Sequence, residues 1–427
     1  MDLKAAYSRM LKEDFPDTMT ITLGAEKLIY HKCQWEIAGE KKGLRYGENP
    51  DQPAALYRLV KGGLSLGGLT WRSPHDAIIS AADEGRMLQA GKHPGKTNLT
   101  DVDNGVNILQ YLTQKPACVI LKHNNPSGAA WVAREDGGIT EAVKRAWLAD
   151  RIAAFGGALV ANTPLTVEAC AIASGNYFEV VAAPGFDEGA LELLKKRKNL
   201  RILELPALAS LENLPKAAFL DFKSLADGGL IVQKSFQNRI LENSDFIPAT
   251  AVAPDGVEVC ALAPTKAQLD DLRFAWAVEA GVTSNSVIFA KDGTTVAIGT
   301  GEQDRVGCVE LAIHKAYIKF ADRMCFERTG LSFYEARAKA PADPALASQL
   351  AEIDAICAED KAGLAGSVLV SDGFFPFRDG VDCAIAQGVS AIAQPGGSIR
   401  DAEVIMACNE AVPQVAMVFT GQRSFRH

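Results

Sequence analysis

Lys122 and His123 stand side by side at the end of an apolar run, Ala117-Cys-Val-Ile-Leu121, and are followed by Asn124-Asn-Pro-Ser-Gly128. Successive side chains of a strand point to opposite faces, so a cation and an imidazole serve one site only where the strand ends. The Asn-Asn-Pro-Ser-Gly stretch predicts that ending, because proline removes a donor while asparagine and glycine tolerate turn geometry. A neighbouring ammonium disfavours imidazolium and keeps His123 a neutral base, while Lys122 itself can stabilise a developing oxyanion. The plain alternative is a Lys and a His exposed at a sheet edge. Ligands gather at strand ends in α/β proteins, which favours the chemical reading.

Three other segments carry suitable groups. Leu44-Arg-Tyr-Gly-Glu-Asn-Pro50 offers the planar donor fork of Arg45 and the hydroxyl of Tyr46, a set suited to phosphate or simply an exposed turn. Ala393-Gln-Pro-Gly-Gly-Ser-Ile-Arg400 reads equally as an ordinary strand-to-helix turn or as amides facing a ligand at a helix start. Ser371-Asp-Gly-Phe-Phe-Pro-Phe-Arg-Asp379 either packs its phenylalanines in a core or flanks a flat heterocycle with Asp379 against its polar edge. Thr300-Gly-Glu-Gln-Asp-Arg305 is a further loop-to-helix junction without the Gly-Lys-Ser/Thr of a phosphate loop.

The elements that must position these groups follow an α/β pattern of short apolar runs and helical segments. Strands are expected over Ala117–Leu121, Gly157–Ala161, Glu179–Ala183, Ser367–Val370, Ser390–Ala393 and Gln414–Val418. Helices are expected over 140–149, 166–174, 187–197, 265–280, 303–320, 344–359 and 399–410. Asp292-Gly293 between two β-rich runs predicts a tight hairpin over Asn285–Gly299. A soft boundary near Phe236–Pro248 divides the chain into a leader, 1–42, a first subdomain, 43–235, and a second, 236–427. Tyr317–Asp360 reads as a helix-rich packing arm.

Composition bounds the class. The chain has 427 residues, 48% hydrophobic and 22% charged, a globular profile exceeding one ordinary core. A net charge of −8 argues against general nucleic-acid or membrane-surface binding. No signal-like N-terminus or membrane-length run is evident, and the nine cysteines lack CxxC spacing, so cytoplasm is expected. The six histidines form no HxxxH or HExxH pair, and no zinc-deaminase signature, GxSxG elbow or GxGxxG fingerprint occurs. Zinc and serine-triad chemistry are therefore not expected.

Taken in order, LRYGENP, KHNNPSG, DRIAAFGGALVA, SNSVIFAKDG, GTGEQDR, SDGFFPFRDGVD, AQPGGSIRD and TGQRSFRH resemble the formyltransferase half of the bifunctional purine-biosynthesis family AICAR transformylase/IMP cyclohydrolase. The likeness runs from Phe15 to the last residue, with only a short stretch before it. The family's cyclohydrolase domain would precede that region, so the expectation is a free-standing transformylase that leaves ring closure to a separate IMP cyclohydrolase.

The resemblance implies two cytidine-deaminase-like α/β subdomains without catalytic zinc, a homodimer with active sites near the interface, and formyl transfer from 10-formyltetrahydrofolate to the 5-amino group of AICAR. It makes His123 the base and gives Lys122 the oxyanion or the departing nitrogen. It assigns Arg45, Tyr46, Asn98, His123, Gly156, Glu179, Asn285, Phe374 and Arg423 to AICAR. Arg305, Val306, Asp379, Ser398 and Ile399 fall to the folate. Some relatives hold a monovalent cation, K+, and Ser284, Ser286 and Asp372 are its candidates here. Asp51 stands where the family's motif carries histidine, a carboxylate near the nucleotide's anionic end. Two alternatives come from other classes: a non-catalytic purine-nucleotide-binding regulatory protein on the same scaffold, and a zinc hydrolase of related fold. Retention of Lys122, His123, Asn285 and Asp379 together speaks against the first, and the missing ligand set against the second.

Overall fold

The computed structural model describes residues 11–37, 39–82, 85–91 and 93–427. The first ten residues, part of the expected leader, lie outside them. The fold is mixed α/β and divides into two compact units that interleave in sequence. One comprises Met1–Pro116, Leu121–Asn124 and Gly156–Gln237; the other comprises Ala117–Ile120, Asn125–Phe155 and Asn238–His427. The chain passes to the second unit after Gln237, while 117–120 and 125–155 also belong to the second unit and 11–42 to the first. The reason is pairing: Asn125–Trp131 joins the strand Thr294–Thr300 through the Ala130–Thr294 register.

In the first unit, the strands Gly157–Ala161, Phe178–Ala183 and Arg201–Glu204 run parallel, with Met87–Gln89 antiparallel at the edge. Their interiors are fully buried runs of Val, Leu, Ile and Ala, as parallel strands covered by helices require. The helix Lys96–Leu109 lies against this sheet. Gly105 makes that approach close, since a Cβ there would sit 2.6 Å from Val160. A separate antiparallel sheet joins Thr18–Leu23, Glu26–Lys32 and Tyr57–Lys61.

In the second unit, Val368–Ser371, Ala391–Gln394 and Ala416–Phe419 are parallel, and the hairpin Ser286–Lys291/Thr294–Thr300 adds antiparallel strands. Asp292 and Gly293 both have positive φ, 51° and 66°, as the Asp-Gly turn predicts. The helices Lys266–Glu279 and Arg305–Thr329 cover this sheet. The latter continues nine residues past its expected end because Ala321 and Cys325 enter a small core with Ala336, Leu346, Leu350, Ile353 and Cys357. No helix among the described residues is long and apolar enough to cross a membrane.

The expected turn after Lys122 is shorter than the Asn-Asn-Pro-Ser-Gly stretch suggested. Asn125–Trp131 is a strand, and the turn is the two residues His123 and Asn124, with φ of 55° and 60°. Turn-forming residues were overridden by packing. Gly128 lets the helix Gly138–Ala149 sit so close that a Cβ would lie 2.2 Å from the Ala146 carbonyl. Pro126, second in the strand, lies buried.

Candidate functional site

The first unit gathers a cluster at the amino ends of its three parallel strands. Gly156 immediately precedes one, Glu179 is the second residue of the next, and Arg201 opens the third. Lys122 closes its own strand, and His123 is exposed on the turn. Gly156 has φ 77°, and a Cβ there would lie 3.4 Å from both Lys122 Nζ and the Tyr177 ring. Glycine therefore leaves the room that the Lys122 ammonium occupies.

Arg45 and Tyr46 are pinned beside the start of the helix Lys96–Leu109. The Arg45 amide donates to the Pro94 carbonyl at 2.9 Å, and the Lys96 amide donates to the Tyr46 carbonyl at 3.0 Å. The Arg45 guanidinium is buried and donates to Tyr46 Oη at 2.9 Å, but its Nε has no acceptor among the described residues. Asn98 caps this helix through the Gly95 amide at 3.0 Å and donates to Glu179 Oε2 at 2.8 Å. The structure thus joins Asn98 to Glu179, two residues assigned separately from the sequence.

Two residues of this cluster were not found in the sequence. Arg201 is 5% exposed, 3.8 Å from Glu179 Oε2, and its Nε also lacks an acceptor. Burial and the positive charge of Arg45 push its guanidinium down, against the opposing pull of Glu179. Asp101 is 6% exposed and accepts the Asn124 amide at 2.7 Å. Burial pushes its carboxyl up to about 6, partly offset by that amide, His123 and Lys122. Three-residue spacing from Asn98 on a helix was the available signal. Asp51, in place of the family's histidine, is exposed in the Gly47–Gln52 loop.

The second unit gathers its candidates at the carboxyl ends of its parallel strands, where the SDGFF, QPGG and TGQR loops begin. Arg305, first residue of its helix, turns its guanidinium inward. It bonds to Asp372, donates to the Ser286 carbonyl at 3.1 Å, and donates to Asn285 Oδ1 at 2.8 Å. With Val306 it opens a helix, where the first amides lack intrahelical acceptors. The Ser284–Asn285 peptide is cis. Ser284 donates to Asp372, and Ser286 donates to Glu279. Burial, with the nearby Asp372 charge, holds the Glu279 carboxyl well above its usual range, and its Oε2 has no partner among the described residues.

At the Gly-rich junction two amides already have an acceptor. The amides of Gly397 and Ser398 donate to Asp401 Oδ2 at 2.7 and 3.1 Å, so the following helix satisfies them itself. The Ile399 side chain is fully exposed. Of the three phenylalanines, Phe375 is core, whereas Phe374 and Phe377 are exposed. Asp379 is exposed, and Arg423 lies over the Phe425 ring at 5.1 Å.

Residues 3–315 match the model of the AICARFT/IMPCHase bienzyme family. A bifunctional purine biosynthesis protein PurH from Roseobacter denitrificans is 37% identical over 386 residues. That alignment covers 90% of this chain, and the chain spans 59% of the relative's length. The chain belongs to the AICARFT/IMPCHase family.

Proposed function

We propose that this family member is an AICAR formyltransferase of purine synthesis, taking the formyl group from 10-formyltetrahydrofolate. The observation that carries the reading is the first unit's cluster. It puts an exposed imidazole beside an ammonium, with the buried, incompletely paired guanidinium of Arg45 in the same unit.

The amine of AICAR is conjugated to a ring bearing a carboxamide, so it is a poor nucleophile. As its nitrogen attacks the formyl carbon, His123 takes its proton, a role that contributes about 10²–10⁴-fold. Lys122 stabilises the oxyanion of the tetrahedral intermediate. The bond from the formyl carbon to the folate N10 then breaks, N10 gains a proton, and formyl-AICAR and tetrahydrofolate leave. Arg45 and Tyr46 offer phosphate a donor fork and a hydroxyl. Asn98 and Glu179 form a bonded pair suited to the nucleotide's polar edge.

In the second unit, the nucleotide candidates are Asn285, Phe374 and Arg423. The folate candidates are Asp379, Ser398 and Ile399 with the helix opening at Arg305 and Val306. The oxygens that would hold the potassium expected near Ser284, Ser286 and Asp372 include Glu279 Oε2, buried without a partner among the described residues. A homodimer in the cytoplasm completes the proposal.

The test is mass-resolved product analysis of the protein with AICAR and 10-formyltetrahydrofolate. Formation of formyl-AICAR is the expected result. AICAR binding with no product would replace this reading with the regulatory one.

A further inference from the structure

The helix Lys96–Leu109 buries a polar stripe. Asn98, Asp101 and Asn104 recur every three residues, so they follow one another along one side. They are 7%, 6% and 1% exposed. Buried polar groups are costly unless each is used. Here each is used on the cluster. Asn98 holds Glu179, Asp101 accepts the Asn124 amide at 2.7 Å, and Asn104 Nδ2 donates to the Asn124 carbonyl at 2.9 Å. Asp101 and Asn104 therefore grip both sides of the residue that follows His123. That grip matters because His123 and Asn124 both hold positive φ, which non-glycine residues keep only when their surroundings enforce it.

We propose that Asp101 is a positioning residue for His123, holding its turn through the Asn124 amide and setting a buried carboxylate beside the imidazole and the Lys122 ammonium. The chemistry of this inference rests on the formyltransferase reading; its geometry does not. When His123 takes a proton from the attacking amine, it becomes a cation. Asp101 favours that state, Lys122 opposes it, and Glu179 in turn raises the proton affinity of Asp101. As pH falls through about 6, Asp101 gains a proton and its support for the imidazolium is withdrawn.

The intact protein tests this with two variants. Asp101→Asn keeps an acceptor for the Asn124 amide and removes the charge; Asp101→Ala removes both. The His123 titration is followed by NMR of ¹³C-labelled histidine, assigned by the signal missing in His123→Ala. In Asp101→Asn its midpoint should fall and kcat should drop by about tenfold. AICAR affinity measured calorimetrically should stay within about twofold. Asp101→Ala should lower kcat further. An unchanged midpoint and kcat in Asp101→Asn would overturn the proposal. Should neither variant fold, the wild-type His123 signal should show two coupled protonations, and a single one would overturn it. A shifted midpoint in a protein that forms no formyl-AICAR would remove the formyltransferase reading and leave the Asp101–His123 pairing.

Discussion

The two units place their charged clusters at opposite ends of parallel strands, and the clusters differ in how far they are satisfied. In the first, Gly156, Glu179 and Arg201 lie at strand amino ends, and the guanidinium nitrogens of Arg45 and Arg201 include buried donors without acceptors among the described residues. In the second, loops leave strand carboxyl ends, and Arg305 is matched to Asp372, the Ser286 carbonyl and Asn285. Arg305 is held by acceptors of its own unit, whereas Arg45 Nε has none among the described residues.

The comparison breaks most visibly at Arg305. Replacing it with Ala strands the fully buried Asp372 and should cost about 3–5 kcal/mol, read as a lower denaturant midpoint. Unchanged stability would mean the second cluster is not a brace.

A pH effect in the first unit comes next. The Asp101 carboxyl, ordinarily at 3.8, is pushed up to about 6 in the fold. The fold therefore binds the extra proton between those values, and stability falls as pH rises through that window. The ionised group costs on the order of 3 kcal/mol above it. Asp101→Asn should flatten that part of the stability–pH curve and be the more stable protein at neutral pH. A curve parallel to the wild type would show that Asp101 is not strained.

Arg45→Ala should raise the AICAR dissociation constant about 10–100-fold, as loss of charge-assisted bonds implies, with little change in melting temperature. Equal losses at Arg45 and Arg305 in both affinity and stability would erase the distinction. Smallest, Gly156→Ala should cost about 1–2 kcal/mol for a left-handed backbone.

Much of the sheet was legible because its strands are uninterrupted apolar runs, such as Ala117–Lys122 and Gly157–Ala161, and because Asp292-Gly293 permits few other turns. The helix Lys96–Leu109 was not. The positions that would reveal its buried face, Asn98, Asp101 and Asn104, are polar because they hold the cluster. Asn125–Trp131 was hidden by residues that favour turns in isolation and were recruited by pairing and by the room Gly128 leaves. Lys122 and His123 were visible as a pair, but the support of their turn was not, since Asp101 lies on the helix that the apolar pattern hid. At the second Gly-rich junction the spacing suggested a cradle, while the acceptor for its amides, Asp401, was one turn ahead in the helix.

The most direct measurement compares wild type and His123→Ala for single-turnover formation of formyl-AICAR, alongside equilibrium AICAR binding. The account predicts a rate lower by about 10²–10⁴ with affinity nearly unchanged. Turnover retained in His123→Ala would contradict it.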